Sequence, residues 1–287
     1  MLSFDYNDDE DWIGIDYLTK KIPEEKIMQR IIANIKEGIF DSRVLKNHII
    51  YVLENKLEES HPYILEEIIN SQRAGYRRRE FLNLYFKATK DITGLRNILP
   101  KSDIEIKWDI IEKLENENQQ IFLQEFLLQI LNSEDTIEEK IKASEYLIKF
   151  QNIKGLEFFT EVIENFNNHN LDLDRHYNLR FLSQSVAIPY LIRLLDANYK
   201  NDIKINRFQD LSSIILDAFY NIALVNEDNF KEVKRTLKVF INSNIQKYNN
   251  VKYILNSIER MDEQFYMNKA QSYSINQVKE KLKILET

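Results

Sequence analysis

Apolar residues recur along this chain with a period of 32 residues. Within each unit they are spaced i, i+3, i+4, which is the spacing of the buried stripe on an amphipathic helix. The pattern therefore predicts at least four repeated units, each opening with such a helix. Its three columns are Leu95, Leu127, Phe159 and Leu191; Ile98, Ile130, Val162 and Leu194; and Leu99, Leu131, Ile163 and Leu195.

A second helix is predicted in each unit, after a polar turn whose short side chains can cap a helix start. The turns contain Ser102-Asp103, Ser133-Glu134-Asp135, Asp172 to Asp174, and Asn201-Asp202. A cation follows each turn, and an apolar residue lies seven positions beyond it. These pairs are Lys107 with Leu114, Lys140 with Leu147, Arg175 with Leu182, and Arg207 with Ile214.

Weaker copies of the unit extend the pattern in both directions. Upstream copies lie around Met28 and around Leu65, Ile68 and Ile69, and a downstream pair begins near Leu237. We expect its second helix at about 251–270 and a terminal cap helix at 274–286, because the end repeats of a solenoid face water. The prediction is an all-α fold, an α-α superhelix of about six to seven helix pairs. Residues 1–22 are interpreted as an acidic N-terminal segment or cap and residues 23–287 as a single domain.

The repeated residues resemble the HEAT-repeat family and, more loosely, its armadillo relatives. The segment from Ile188 to Leu195, with its proline at Pro189, is similar to the family's first helix. The pairs Asp103 and Lys107, Asp135 and Lys140, and Asp202 and Arg207 are similar to its turn between helices. The small residues usual in its second helix are largely missing, with only Ala143 in place. The resemblance implies a protein-interaction scaffold whose second helices line a concave surface.

Composition narrows the possible functions. The 287 residues include no Cys, five Gly and four Pro, and the net charge is −7. Thiol chemistry and cysteine-bound zinc are thereby excluded, and glycine-rich phosphate loops are disfavoured. None of the sequence patterns typical of nucleotide-binding loops, zinc proteases or serine hydrolases occurs. We therefore predict a non-enzymatic protein without a cofactor, and the acidic charge opposes nonspecific binding to nucleic acid or anionic lipid.

The location of the protein is predicted to be cytoplasmic. The stretch from Met1 to Asp11 is acidic, unlike the basic start of a secretory signal. The longest uncharged run, Phe181 to Ile192, is too short to cross a bilayer. No membrane partner is expected.

Two clusters carry chemistry whose interpretation has alternatives. His169, Asp172, Asp174 and His176 are spaced closely enough to share a divalent metal, but the acids are also suited to capping the next helix. Trp108 and Glu112, four residues apart on one predicted helix, resemble the aromatic-plus-acid sites of HEAT-like DNA glycosylases in residue type only. The repeat register instead places Trp108 in the core. No metal or catalytic site is assigned.

The best single patch for binding is arginine-rich. Arg73, Arg77, Arg78 and Arg79 interleave with Tyr76, so their guanidinium groups can clamp a phosphate, a carboxylate or an acidic peptide. The alternative is a solvated helix face in which Arg77 takes the repeat's cation position.

The remaining candidates come from the outward face of the second helices. Positions two, five, six and nine beyond each cation are expected to point away from the core. The resulting set is rich in the aromatics and arginines that anchor interfaces. The predicted partner-binding residues are Arg73, Tyr76, Arg78, Arg79, Phe86, Lys113, Lys142, Tyr146, Tyr177, Arg180 and Phe181.

The predicted function is a scaffold or adaptor that binds a protein or peptide partner on its concave face. Two alternatives remain open at this point: a nucleic-acid-binding or base-excision module, and a regulatory subunit or inhibitor of an enzyme. The sequence carries no signal for the oligomeric state.

Overall fold

The computed structural model describes residues 26, 29, 33, 58, 61–69, 78–165, 177–201, 211–244 and 252–285. Within these ranges the chain is helical and contains no β-strand, which confirms the all-α class. The helices are α1 His61–Ile69, α2 Arg78–Thr89, α3 Ile92–Ile98, α4 Ile104–Asn116, α5 Gln120–Asn132, α6 Ile137–Lys149, α7 Ile153–Glu164, α8 Ile188–Asn201, α9 Leu211–Ala223, α10 Glu227–Asn244 and α11 Lys252–Leu285. Short 3₁₀ helices span Leu99–Lys101, Tyr177–Phe181 and Ser185–Ala187.

The chain divides into two compact units, Met1–Gln120 and Ile121–Thr287, called unit 1 and unit 2 below. In unit 1, α1 packs against α2 and α3, and α4 packs against α2 and α3. In unit 2, each helix from α6 to α10 packs against the next along the chain, and α9 also packs against α11. Neighbouring helices thus pack in sequence order inside each unit, as a superhelical class requires. The single domain over residues 23–287 stays a prediction, and residues 1–22 lie outside the described part of the chain.

The predicted apolar columns form the core. Eleven of the twelve repeat positions are buried, and the exception is Leu131, which is only partly buried. On α5 the buried residues are Leu123, Leu127 and Ile130. Leu131 lies about 80° around the helix from Leu123, at the edge of a narrow stripe. The period is therefore confirmed, and the assignment of Leu131 to the core is wrong.

Two of the four predicted turns lie within the described residues, and a helix start follows each of them, one with a shift; the turn at Asp172 to Asp174 and the start after Asn201-Asp202 lie outside the described residues. The carboxylate of Asp103 caps α4 by accepting a hydrogen bond from the backbone N–H of Ile106. At α6 the cap is the hydroxyl of Thr136, which accepts from the N–H of Glu139, one residue later than the predicted turn. Asp135 instead accepts a hydrogen bond from Ser133 within that turn. Each capped start satisfies backbone donors that an uncapped helix leaves without a partner.

One predicted second helix takes another form. Its described part is the five-residue 3₁₀ helix Tyr177–Phe181, which packs against α6 and α9. Leu179 and Leu182 are buried there, so the segment contributes core residues where a full helix was expected.

The C-terminal region also differs from expectation. Instead of two helices with a break near Ser274, α11 is continuous from Lys252 to Leu285. No Gly or Pro occurs in this segment, and the Ser274 hydroxyl donates to the carbonyl of Gln271 inside the helix. Ile254, Ile258 and Met261 are buried, whereas every side chain from Tyr266 to Ile275 is exposed.

Candidate partner-binding surface

Arg78, expected to bind a partner, is buried inside unit 1. It is only 4% exposed. Its Nε and Nη2 donate hydrogen bonds to the carbonyls of Ile68 and Ile69 at 3.2 and 2.9 Å, and its Nη1 lies 2.8 Å from Asp103 Oδ2. Arg78 therefore joins the C-terminal end of α1 to the N-terminal end of α4. The C-terminal end of α1 favours a positive charge, and the carboxylate of Asp103 supplies the negative charge that the N-terminal end of α4 favours. The position therefore suits a guanidinium without any external ligand.

The pairing also alters Asp103. Partial burial acts to raise the pKa of this carboxyl, but the Arg78 guanidinium and the N–H of Ile106 outweigh it and lower the pKa below its ordinary value. Asp103 consequently serves two purposes, as the cap of α4 and as the anion opposite Arg78.

Arg79 lies on the surface but is paired within unit 1. Its Nε donates to Asp109 Oδ2 at 2.7 Å, and that hydrogen bond, with the charge of Asp109, raises the pKa of the Arg79 guanidinium. One helical turn further on, Lys113 Nζ donates to Asn83 Oδ1. The outward faces of α2 and α4 are therefore linked by polar contacts. Both described arginines of the predicted patch are matched by carboxylates of the chain itself.

Phe86 was expected to face away from the core, and this expectation is wrong. Phe86 is 7% exposed, and Leu82 of the same predicted set is fully buried. The ammonium groups of Lys90 and Lys113 lie 4.8 and 5.9 Å from the centroid of the Phe86 ring. Burial, together with the nearby Lys90 charge, lowers the pKa of Lys113 against the opposing effect of its acidic neighbours.

Several predicted residues cannot be placed. Arg73, Tyr76 and Arg77 lie outside the described residues, as do His169, Asp172, Asp174 and His176. Tyr177 lies in a described 3₁₀ helix, but its side chain is outside the description. Among the described residues, no group of three or more His, Asp or Glu side chains is arranged to hold a metal ion.

In unit 2, the 3₁₀ helix Tyr177–Phe181 is fastened on both sides by side-chain amides. Asn178 Nδ2 donates to the carbonyl of Glu145 on α6 at 3.2 Å. Asn221 Nδ2, on α9, donates to the carbonyl of Arg180 at 2.6 Å, and Gln151 Nε2 donates to the carbonyl of Phe181. These bonds fix the backbone from which Arg180 and Phe181 project.

Two arginines meet one carboxylate beside this segment. Arg180 Nε lies 3.2 Å from Asp217 Oδ2, and Arg260 Nη2 lies 3.9 Å from Asp217 Oδ1. The Arg260 guanidinium carbon lies 4.5 Å from the centroid of the Tyr220 ring, within range of a cation–π contact. Asp217 thus lies between two guanidinium groups. We call Arg180, Phe181, Asp217, Tyr220 and Arg260 the Arg180 surface.

Phe181 gives this surface an apolar contact. It is 55% exposed, although its backbone is held in place. On α6, Tyr146 is partly buried and its ring lies 6.4 Å from that of Phe150, and Lys142 is also partly buried. Arg180 is partly buried as well, so among the predicted binding residues of unit 2 whose side chains are described, Phe181 is the exposed one.

The sequence interpretation missed Asp217, Tyr220 and Arg260. A signal for Asp217 exists, since it is the only charged residue in the apolar helix Leu211–Ala223. A lone charge in such a helix is expected to have a partner, because an unpaired charge is costly there. No comparable signal marks Arg260, whose significance depends on how α11 packs against α9.

The position of Trp108 decides between the two interpretations of the Trp108 and Glu112 pair. It is 7% exposed and packs in the core of unit 1, as the repeat register predicted. An indole in this position cannot stack on an extruded base, so the observation that suggested a base-excision site is lost.

Neither a membrane-spanning helix in the described part of the chain nor a related protein identifies this chain further. None of the described helices is both long and apolar enough to cross a membrane. No protein-family model, no curated protein and no solved structure matches the chain. The HEAT resemblance therefore depends on the repeated residues alone. What the structure adds is an all-α chain whose described helices pack against their sequence neighbours, as in helical-repeat proteins.

Proposed function

We propose that this protein is a non-enzymatic scaffold or adaptor of HEAT-like type that binds a protein or peptide partner. The Arg180 surface of unit 2 is the proposed contact point. The observation that carries the proposal is the exposed ring of Phe181, whose backbone is fixed by three hydrogen bonds from side-chain amides. An exposed aromatic held in one position loses little conformational entropy on binding, which favours affinity.

The composition of the surface supports the proposal. Arginine, tyrosine and phenylalanine are enriched in protein interfaces, and a few such residues usually supply most of the binding free energy. Here Arg180 and Arg260 both face Asp217, Arg260 lies against Tyr220, and Phe181 follows Arg180 on the 3₁₀ helix. Scaffolds bind through surfaces of this kind without any reacting group.

The pairing of cations supports a protein partner over a nucleic acid. Binding along a phosphate backbone needs several cations that are available to neutralise phosphates. Among the described residues, Arg78, Arg79, Lys90 and Arg193 each contact a carboxylate of the chain itself. We therefore place the nucleic-acid alternative second. A role as a regulatory subunit or inhibitor is compatible with the same surface, and a cytoplasmic location stays a prediction.

The test is affinity capture of a partner by the full chain and by Phe181→Ala. The wild-type protein should recover a stoichiometric protein partner from the source cell, and Phe181→Ala should weaken the purified complex at least tenfold. Ile121→Ala is the control, because Ile121 is also an exposed apolar residue of unit 2 and is 78% exposed. Thermal stability should change little in either variant.

Two results would contradict the proposal. One is the absence of any stoichiometric partner while the purified protein turns over a small molecule. The other is equal affinity of Phe181→Ala and Ile121→Ala for the captured partner, which would place its binding site elsewhere.

A further inference from the structure

Arg260 is unusual among the described cations in how it meets its carboxylate. Its Nη2 lies 3.9 Å from Asp217, beyond the 2.7–3.2 Å typical of an N–H···O hydrogen bond. In the described part of the chain it has one other contact, the ring of Tyr220 at 4.5 Å. The Arg260 side chain is 64% exposed. Its guanidinium is thus oriented by an aromatic ring while its N–H groups are left to solvent.

This arrangement is preorganised to bind an anion. A guanidinium presents N–H donors in a planar fork that matches a carboxylate with two parallel hydrogen bonds. Contact with Tyr220 restricts the side chain before any ligand arrives, so less rotamer entropy is lost on binding. The residues one turn from Arg260 on α11 place little negative charge beside its guanidinium. Asn256, Ser257 and Gln264 are uncharged there, and only Glu263 is acidic.

The carboxylate of Asp217 decides which anion suits Arg260. It lies 3.2 Å from Arg180 Nε and 3.9 Å from Arg260 Nη2, so an incoming anion meets one fixed negative charge. A carboxylate carries one negative charge and a phosphate group nearly two at pH 7, so the repulsion from Asp217 is weaker for a carboxylate. The local charges therefore favour a carboxylate over a phosphate.

We infer that the Arg180 surface recognises an acidic side chain of the partner, bound by Arg260, together with a neighbouring apolar side chain that packs on Phe181. The inference rests on the proposed function, because it describes the chemistry of the same surface. It assigns roles to Arg260 and Tyr220 that the repeat pattern does not suggest: Arg260 binds the carboxylate, and Tyr220 positions Arg260.

The test uses a random dodecapeptide array probed with the full chain, followed by affinity measurements on the selected peptides in solution. Selected peptides should contain Asp or Glu close to an apolar residue. Replacing that acid by Asn or Gln should weaken binding at least tenfold, and replacing it by phosphoserine should not improve binding. Affinity should also fall as salt is added.

Protein variants identify the group responsible. Arg260→Gln should lose the preference for the acid over its amide, and Tyr220→Leu should reduce it. Arg193→Gln is the matched control, since Arg193 is a partly exposed arginine of unit 2 that pairs with Glu164, and it should keep the preference. Circular dichroism of each variant should match the wild type.

The outcomes separate the inference from the proposed function. If peptides bind through Phe181 but acid and amide forms bind equally, or if Arg260→Gln keeps the preference, the inference is wrong and the proposed function stands. Stronger binding of the phosphopeptide would overturn the assignment to a carboxylate. If no peptide binds and Phe181→Ala has no effect on partner capture, both fail.

Discussion

Replacing Arg78 by alanine should destabilise unit 1, because this side chain makes every connection from α2 to the ends of α1 and α4 described above. Its two hydrogen bonds to the carbonyls of Ile68 and Ile69 are charge-assisted, and the first is buried while the second is partly buried. Hydrogen bonds to charged groups contribute about 1.5–3 kcal/mol each, although losses from one side chain do not add fully.

Arg78 also makes ion pairs, with Asp103 and, at 3.5 Å between Nη1 and Oε2, with Glu105, and these contribute less stability. The side chains of Asp103 and Glu105 are 44% and 82% exposed, so water solvates both once Arg78 is gone. Pairs of this kind contribute about 0–1 kcal/mol, well short of a fully buried pair. The expected loss for Arg78→Ala is therefore about 2–4 kcal/mol. Arg78→Lys should lose about half as much, because an ammonium cannot serve both carbonyls and the carboxylate in the same geometry.

The assay is urea unfolding followed by the fluorescence of Trp108, which is buried in unit 1. The other tryptophan, Trp12, is replaced by Phe in every sample so that Trp108 alone reports. Arg79→Ala is the control, since Arg79 adjoins Arg78 but its side chain is 71% exposed, and its midpoint should barely move. A loss below about 0.5 kcal/mol for Arg78→Ala would refute the reasoning, because surface substitutions change stability by that much.

The pH dependence of the same difference gives an independent check. The pKa of Asp103 is lower in the folded chain than in the unfolded chain. Its pairing therefore stabilises the fold above the unfolded pKa of about 3.9, and this contribution disappears as pH falls through the folded pKa. The difference between wild type and Arg78→Ala should shrink as pH is lowered from 5 toward 2. A difference that stays constant would exclude the ion pair as a contributor.

Two further predictions concern the core and the lysines. Leu127→Ala should lower the free energy of unfolding by about 2–5 kcal/mol, and Leu131→Ala should lower it clearly less because Leu131 is only partly buried. Thermal melts of the two variants, compared side by side, check this difference. Lys113 should lose its proton at a lower pH than Lys154, because burial lowers the pKa of Lys113 and the hydrogen bond to Glu157 raises that of Lys154. Chemical-shift titration of ¹³C-methylated lysines measures both, and the reverse order would show that Lys113 is solvated.

The period of apolar residues was sufficient to predict the helical class and most of the core. Burial follows directly from the spacing of apolar side chains, and positions such as Leu95 and Phe159 are buried as their columns predicted. Leu131 shows the limit of this reasoning. Spacing alone does not reveal how wide a stripe the neighbouring helices cover.

The site was less predictable, for two physical reasons. The helix α2 starts at Arg78, and its buried stripe includes Phe81, Leu82, Tyr85 and Phe86. Counting positions from Arg77 therefore places Leu82 and Phe86 on the outward face, although both are buried. The Arg180 surface, in contrast, depends on pairings between helices that are distant in sequence. No local sequence pattern indicates that the Arg260 guanidinium packs against the Tyr220 ring.

The long helix α11 combines two kinds of helical stability. Up to Phe265, whose ring lies 4.2 Å from that of Phe230, the helix is held by packing against its neighbours. The next residues still contact α10, since the Tyr266 ring lies 6.2 Å from that of Phe230 and Lys269 pairs with Glu227 at 3.1 Å. From Ala270 to Ile275 every side chain is exposed, so this part depends on elongation from a segment that is already helical. Elongation is far easier than nucleation, because each added residue gains one backbone hydrogen bond without forming a new first turn. Loosening the contact between Phe265 and Phe230 would therefore shorten the packed segment from which the turns beyond Lys269 are elongated, although the side chains of those turns are all exposed.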